Sequence, residues 1–223
     1  MENKFTLADF ETALDLQSYL ERAKRLDESG LVRLRAFGQV LAAYVAPIFS
    51  GSLMDAGPTV LGLRTCELAG ETELDSVVPI AAVLDRLALV LRDDARLEQI
   101  TVQLPASERT PWAGIMPPRS GWVQKDGIPE ERLTQIAKDG IAEVADALPE
   151  AVGGPIAARI RGEIWGRSID LVSAIPTGAA FVMAGLGFLT EGEEVDVFEV
   201  SGWVRLSSMH GHVIAKAAKS FKA

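Results

Sequence analysis

Hydrophobic positions in the first half of the chain follow two different periods. Ala13, Leu16 and Leu20 recur at helical spacing, which predicts a helix over Asp9–Asp27 that opens with a Thr6/Asp9 capping box. Alternating or short apolar runs predict strands, and a second 3.6-residue pattern predicts another helix. The predicted strands are Leu31–Phe37, Val40–Phe49, Thr59–Leu68 and Ile100–Leu104, and the second helix is Val78–Arg92. For Val40–Phe49 a short buried helix has the same pattern, so both alternatives stay open at this point.

The second half is predicted to contain three helices followed by a β-hairpin. Pro129 and Pro155 each stand at a first helical position, and the apolar segment Thr177–Leu189 has no polar face, which favours a central helix. Val195–Val200, the turn Ser201-Gly202 and Trp203–Ser207 have the form of a two-residue hairpin, and His212–Lys216 is a candidate third strand.

Between the halves lies a stretch in which regular structure is interrupted. Pro111, Pro117 and Pro118 fix the backbone and remove amide donors, so neither a helix nor a sheet is expected to run through it. Trp112 and Trp122 stand at its ends, and rings of that size are expected to pack against a core. We therefore predict a sheet-bearing half at residues 1–109, a connector at 110–127 and a helical half at 128–223.

The order of elements predicts an α+β protein. A small antiparallel sheet with two helices forms the first half and packs on a three-helix plus β-hairpin unit. Three helices and a hairpin occur in this order in winged-helix domains, so the second half is predicted to be winged-helix-like. Its third helix has no Arg, Lys, Asn or Gln to reach base edges, which argues against reading DNA.

Composition narrows the class of partner. The chain has 223 residues, of which 48% are hydrophobic, enough for a substantial core, and its formal net charge is −9. Because neither half is basic, nucleic acid is not expected as a partner. Two uncharged windows, Ala36–Met54 and Leu171–Thr190, contain Pro, Gly and Ser, so they are predicted to be core elements and no membrane association is expected.

Cysteine content and the N-terminal residues indicate the compartment. Cys66 is the only cysteine, so no internal disulfide can form, and a reducing cytoplasm is the expected setting. The first residues carry acids where a signal peptide needs a basic start. Arg64, on the same face of the predicted strand, would favour a reactive thiolate at Cys66, but a buried structural cysteine is the commoner case.

No strong catalytic or cofactor signature is present. Phosphate-binding, nucleophile-elbow and zinc-protease motifs are all missing, so no catalytic residue and no cofactor is predicted. His210 and His212 are two residues apart, which is a metal-ligand spacing on a strand, although Gly211 between them favours a surface turn. Trp112, Arg119 and Trp122 form the second candidate, because a guanidinium near aromatic rings on a rigid loop can bind a carboxylate or a peptide. The alternative is that both rings serve packing alone.

Five short segments carry a resemblance to a known group of proteins. They are PTVLGLRT at Pro58–Thr65, PW with PPRSGW at Pro111–Trp122, IWGR at Ile164–Arg167, PTGAAF at Pro176–Phe181 and GHV at Gly211–Val213. With these segments the chain resembles an uncharacterised family of actinobacterial proteins. The resemblance implies a bacterial, cytoplasmic protein and carries no activity, cofactor or catalytic residue.

Three functional hypotheses follow from the sequence. The first is a non-enzymatic binding or regulatory protein whose partner is another protein or a second copy of itself. The second is an enzyme or small-ligand binder with a cleft between the halves. The third is nucleic-acid binding through a degenerate winged helix.

Overall fold

A computed structural model describes residues 3–49, 57–93, 99–114, 116–148, 153–170 and 174–216. The strands within these ranges are β1 (Lys4–Leu7), β2 (Leu31–Phe37), β3 (Val40–Ile48), β4 (Thr59–Glu67), β5 (Leu74–Pro79), β6 (Ile100–Gln103), β7 (Val123–Pro129), β8 (Glu194–Val200), β9 (Trp203–Ser208) and β10 (Gly211–Lys216). The helices are α1 (Phe10–Leu26), α2 (Ile80–Asp93), α3 (Glu130–Ala147), α4 (Gly154–Trp165) and α5 (Thr177–Leu186). None of these helices is long and apolar enough to cross a lipid bilayer.

The chain divides into two compact units. The first unit comprises Met1–Pro47 and Leu63–Gly114, and the second comprises Ile48–Gly62 and Ile115–Ala223. The boundary therefore falls within β4. The division into 1–109, 110–127 and 128–223 stays a prediction.

The first unit is built from antiparallel strands and two packed helices. Its larger sheet has the order β5-β2-β3-β4, β1 pairs antiparallel with β6, and α1 packs against α2. One face of α1 is buried, and the Tyr19 hydroxyl on that face donates a hydrogen bond to the carbonyl of Ala43 at 3.2 Å. Val40–Ile48 is a strand, which resolves the alternative that the sequence left open.

In the second unit the strands β7, β8, β9 and β10 pair with their neighbours in sequence order, all antiparallel. The turn between β8 and β9 has positive φ at both Ser201 (42°) and Gly202 (79°), the conformation that a two-residue hairpin requires. Helix α5 packs against α3 and β10, and it ends where Gly187 adopts a left-handed conformation.

The winged-helix prediction is wrong. The predicted hairpin β8–β9 is the centre of a run of four strands and not a two-stranded wing, because β7 and β10 flank it. Strand β7 comes largely from the segment assigned to the connector, where most side chains are exposed and Gly127 and Pro129 interrupt the apolar pattern. A strand with so few buried positions leaves no period-2 signal in the sequence.

Smaller differences concern helix ends and short strands. Thr6 lies in β1 and does not cap α1; the cap is Asp9, whose carboxylate accepts a hydrogen bond from the amide of Thr12 at 2.7 Å. The third helix of the second half ends at Leu186, before the predicted end at Leu189. Strands β1 and β5 were not predicted, since runs of four and six residues carry little periodicity.

Candidate functional site

The residues of the predicted tryptophan and arginine site belong to different units. Trp112 lies in a 3-10 turn of the first unit, Pro111–Gly114, and is only 3% exposed. Arg119 and Trp122 lie in the second unit, where Arg119 is exposed and the Trp122 indole nitrogen donates a hydrogen bond to the carbonyl of Pro118 at 3.0 Å. A ligand site formed by all three residues stays a prediction.

The two histidines stand at the turn between β9 and β10. His210 is exposed in that turn, where its backbone amide donates a hydrogen bond to the Ser208 hydroxyl at 3.2 Å. His212 lies on β10, and its Nδ1 is 3.0 Å from the hydroxyl oxygen of Ser207. In the part of the chain that the structure describes, no group of three or more His, Cys, Asp or Glu residues is arranged to hold a metal ion. The metal site stays a prediction, without a third ligand among the described residues.

Cys66 is a buried residue of β4. Burial, with a smaller contribution from the Asp15 charge, raises the pKa of its thiol to about 12. Arg64, the cation expected to activate it, is held by the Asp15 carboxylate through two hydrogen bonds of 2.7 and 2.6 Å. The thiol is therefore protonated at neutral pH, in agreement with a structural role.

One face of the second unit's sheet brings together charged and aromatic side chains. Along β8 the valines Val195 and Val197 are buried, and the alternate residues Asp196 and Phe198 point to the opposite face. The strand register pairs Phe198 with Arg205 and Asp196 with Ser207 on that opposite face. We call this surface, defined by Asp196, Phe198, Arg205 and Ser207, the Arg205 face.

Arg205 is held by two aromatic rings. Its guanidinium carbon is 4.3 Å from the ring centroid of Phe198 and 4.9 Å from that of Trp122. Partial burial lowers the pKa of this guanidinium from its usual value, although an arginine remains charged at neutral pH. Its buried Nε has no hydrogen-bond partner, and Arg205 forms no ion pair with any residue in the described ranges. The cation is fixed in place but lacks an anion among those residues.

A concavity of about 570 Å³ opens beside this cation. Glu193, Glu194 and Asp196 line it near the start of β8, whereas Phe198 further along β8 and its cross-strand neighbour Arg205 on β9 line the other end. The remaining lining residues are Ser207, Ser208, His212 and Met209, of which Met209 is 76% exposed. The concavity thus offers a cation with an aromatic surface at one end and carboxylates at the other. Such a surface can bind a segment that carries both charges and some apolar area.

The sequence prediction missed Arg205 and Phe198, although a signal for them was present. A two-residue turn at Ser201-Gly202 fixes the hairpin register and so pairs Phe198 with Arg205. The pairing of an arginine with an aromatic residue across this hairpin could therefore have been predicted from the sequence. The contact of Trp122 with the same guanidinium could not have been predicted, because β7 carries no recognisable pattern.

Among solved structures, the chain is similar to DNA polymerase sliding clamps. One is the sliding clamp of Caulobacter crescentus (12% identity, TM-score 0.49, 98% of this chain and 66% of the clamp). Similar figures hold for the DNA polymerase III subunit beta of Pseudomonas aeruginosa (12%, 0.48, 99% and 66%) and for a Helicobacter pylori beta clamp bound to a DNA ligase peptide (8%, 0.49, 99% and 66%). The chain thus spans slightly less than two thirds of these clamp chains.

Two family models match the sequence. Residues 1–111 match a domain of unknown function (DUF8010), and residues 117–220 match a second domain of unknown function (DUF8185). These two domains cover nearly the whole chain, which is consistent with the uncharacterised family expected from the sequence. No curated protein matches the chain.

The functional hypotheses from the sequence are corrected by the comparison with solved structures. The first hypothesis rested on the absence of catalytic motifs, the second on a cleft that no residues defined, and the third on a winged helix. The solved structures that resemble this chain are instead DNA polymerase sliding clamps. A degenerate winged helix is not part of the described fold, in which β7 and β10 flank the hairpin β8–β9.

Proposed function

We propose that this chain has a clamp-like protein-interaction role, in which the Arg205 face binds an extended peptide segment of a partner protein. The observation that supports the proposal is the Arg205 guanidinium, which two rings hold at an open concavity without an anionic partner among the described residues. A clamp bound to a peptide is known from the Helicobacter pylori structure, and its role is extended to this chain only as a proposal.

The energetic reason lies in the state of the cation. The partly buried guanidinium has lost some hydration, and its cation–π contacts with the two rings supply no hydrogen-bond acceptor in place of water. A carboxylate or carbonyl oxygen of a bound peptide would restore charge-assisted hydrogen bonds, each contributing about 1.5–3 kcal/mol. Because Phe198 and Trp122 already restrict the side chain, little further conformational entropy is lost on binding.

The dimensions of the concavity favour an extended peptide. Its lining runs from Glu193, the residue before β8, to Phe198 within β8, which corresponds to roughly 16 Å at about 3.3 Å per residue. An extended segment of five or six residues has this length. Arginine and aromatic residues are enriched where proteins bind one another, and the flexible Met209 side chain can adapt to different apolar groups.

Nucleic acid and a second copy of the chain are the alternative partners, and the test below assays both. The comparisons give no support to the expectation that nucleic acid is not a partner, because the similar structures are DNA polymerase clamps. The three carboxylates around the concavity disfavour phosphate there, so the proposal names a protein segment.

We also propose a cytoplasmic location and an actinobacterial origin. The single cysteine supports the cytoplasmic location, and the five resembling segments support the actinobacterial origin.

The test begins with a random-peptide display library selected on the full-length chain. Affinities of the selected peptides are then measured for the wild type, for Arg205→Ala and for the matched control Arg159→Ala. Arg159 belongs to the same unit, is 80% exposed and pairs with Glu163, away from the concavity. Duplex DNA and self-association are assayed in parallel.

The proposal predicts at least tenfold weaker peptide binding for Arg205→Ala, which corresponds to about 1.4 kcal/mol, and no change for Arg159→Ala. Equal affinities in all three proteins would overturn it. Duplex DNA that bound at the Arg205 face more tightly than every selected peptide would overturn it as well.

A further inference from the structure

The Arg205 face carries opposite charges at separate positions. Phe198 and Arg205 form one cross-strand pair, and Asp196 lies two residues earlier on β8, opposite Ser207. Glu194 lies two residues before Asp196 and points to the same side, because side chains on a strand alternate. A line of acids therefore leads away from the cation along the strand.

These carboxylates are not neutralised by cations of the described chain. Asp196 accepts one hydrogen bond, from the Gln124 side-chain amide at 3.3 Å, and neither it nor Glu194 forms an ion pair with a described residue. Glu194 is held against the backbone of β7, since a methyl group built on Gly127 would lie 2.5 Å from its carboxylate oxygen. The acids at this end of the concavity lack a counter-charge within the described ranges.

We propose that the segment bound by the Arg205 face is charge-bipolar: an acidic side chain meets Arg205, and a basic side chain two or four residues away meets Asp196 or Glu194. This inference rests on the proposed function and names the chemistry of its partner.

The spacing follows from strand geometry. At about 3.3 Å per residue, Asp196 is roughly 7 Å and Glu194 roughly 13 Å from the level of Phe198 along β8. In an extended peptide, side chains on one face repeat every two residues and therefore match these distances at positions i+2 and i+4. A peptide running in either direction satisfies the pattern, so the spacing of the charges is specified and their order is not.

Charge complementarity also argues for both charges in one segment. A purely acidic peptide would meet Arg205 but would be repelled by three carboxylates, and a purely basic peptide would leave the guanidinium without an acceptor. Only a segment with both charges matches both ends.

The test uses the tightest peptide from the display library, with its acidic residue changed to glutamine or its basic residue changed to glutamine. Each peptide is titrated against the wild type, Arg205→Ala and Asp196→Asn in the full-length chain, whose thermal unfolding confirms that the variants fold. Loss of the acid is expected to weaken binding about tenfold to the wild type and not to Arg205→Ala. Loss of the base is expected to weaken binding to the wild type several-fold. The loss is expected to be smaller for Asp196→Asn, which already lacks one of the two carboxylates, and some loss is left because Glu194 remains.

The possible failures are distinguishable. If selected peptides require Arg205 but their own charges can be removed without effect, or if they lack an acid and a base two or four residues apart, the bipolar pattern is wrong and the peptide-binding role stands. If no library peptide distinguishes the wild type from Arg205→Ala, the proposed function itself is wrong and the inference fails with it.

Discussion

At the scale of single residues, burial decides the chemistry of Cys66. The pKa of its thiol is raised to about 12 by burial, so the thiolate that would attack an electrophile is scarce at neutral pH. Because the folded pKa lies above the ordinary thiol value of about 9, the fold favours the protonated form. This contribution to stability is complete below about pH 9 and is lost as the pH rises from there towards 12.

We expect Cys66 to resist iodoacetamide at about pH 8 in the folded protein and to react fully in denaturant, as measured by intact-protein mass. Rapid alkylation of the folded chain, at the rate of a free thiol, would show that the residue is accessible and ionised.

Gly140 is required by its neighbour. A Cβ at this position of α3 would overlap the Trp165 ring atom Cζ3, and that ring is 5% exposed and stacked on Phe181 at 4.6 Å. Because the ring is buried and stacked, making room for a Cβ disturbs its packing, so Gly140→Ala is expected to lower the free energy of unfolding by about 1–3 kcal/mol in spite of alanine's better helix propensity.

Gly162 of α4 is the matched control. Its nearest neighbour would be the Gly57 Cα at 3.9 Å, an ordinary contact, so Gly162→Ala is expected to be neutral or to stabilise by up to about 1 kcal/mol. Urea denaturation of the two variants measures both changes in the free energy of unfolding. Equal changes would show that contact with Trp165 does not set the cost of a side chain at position 140.

At the scale of elements, a charge cluster ties β5 to β2. The Asp75 carboxylate on β5 accepts two hydrogen bonds of 2.7 Å from Arg33 and lies 3.1 Å from the Nε of Arg35. The hydrogen bonds to Arg33 lower the pKa of Asp75 below its ordinary value of 3.8. Its contribution to stability is therefore present above about pH 4 and is lost as the pH falls through the lowered folded pKa.

Asp75→Asn is expected to destabilise the chain at about pH 6–7, and the difference from the wild type should shrink as the pH falls below about 4. Asp126→Asn, at an exposed position of β7, is the control and is expected to change the free energy of unfolding at about pH 6–7 by less than about 0.5 kcal/mol. Denaturation at a series of pH values measures both. A constant gap for Asp75→Asn across the whole range would rule out the ionic origin.

Elements with a strong hydrophobic period were predictable. The span of β2 was predicted without error, and α1 and α2 differ from prediction by one or two residues at each end, because each buries one face. Strands β1, β5 and β7 were missed, because short or exposed strands are defined by the partner they pair with. Without β7 the C-terminal strands were predicted as a hairpin with one candidate third strand, and this omission left the winged-helix prediction in place.

At the scale of the whole molecule, the candidate site was only partly predictable. Trp122 was selected from the sequence as a candidate for ligand contact, whereas Arg205 and Phe198 came to light through the paired strands of the second unit. Composition gave an acidic chain with net charge −9, but net charge does not reveal a single cation placed among carboxylates. The placement comes from strand register.

The most direct measurement of the central claim is site-specific photo-crosslinking of a display-selected peptide to the full-length chain. Benzoylphenylalanine is introduced in place of Met209, which lines the concavity, or in place of Ile156, which is 57% exposed on α4 outside it. A peptide held by the Arg205 face crosslinks at position 209 and not at 156, and Arg205→Ala abolishes the product. Crosslinking at position 156, or equal crosslinking at both positions with Arg205→Ala unchanged, would contradict the account.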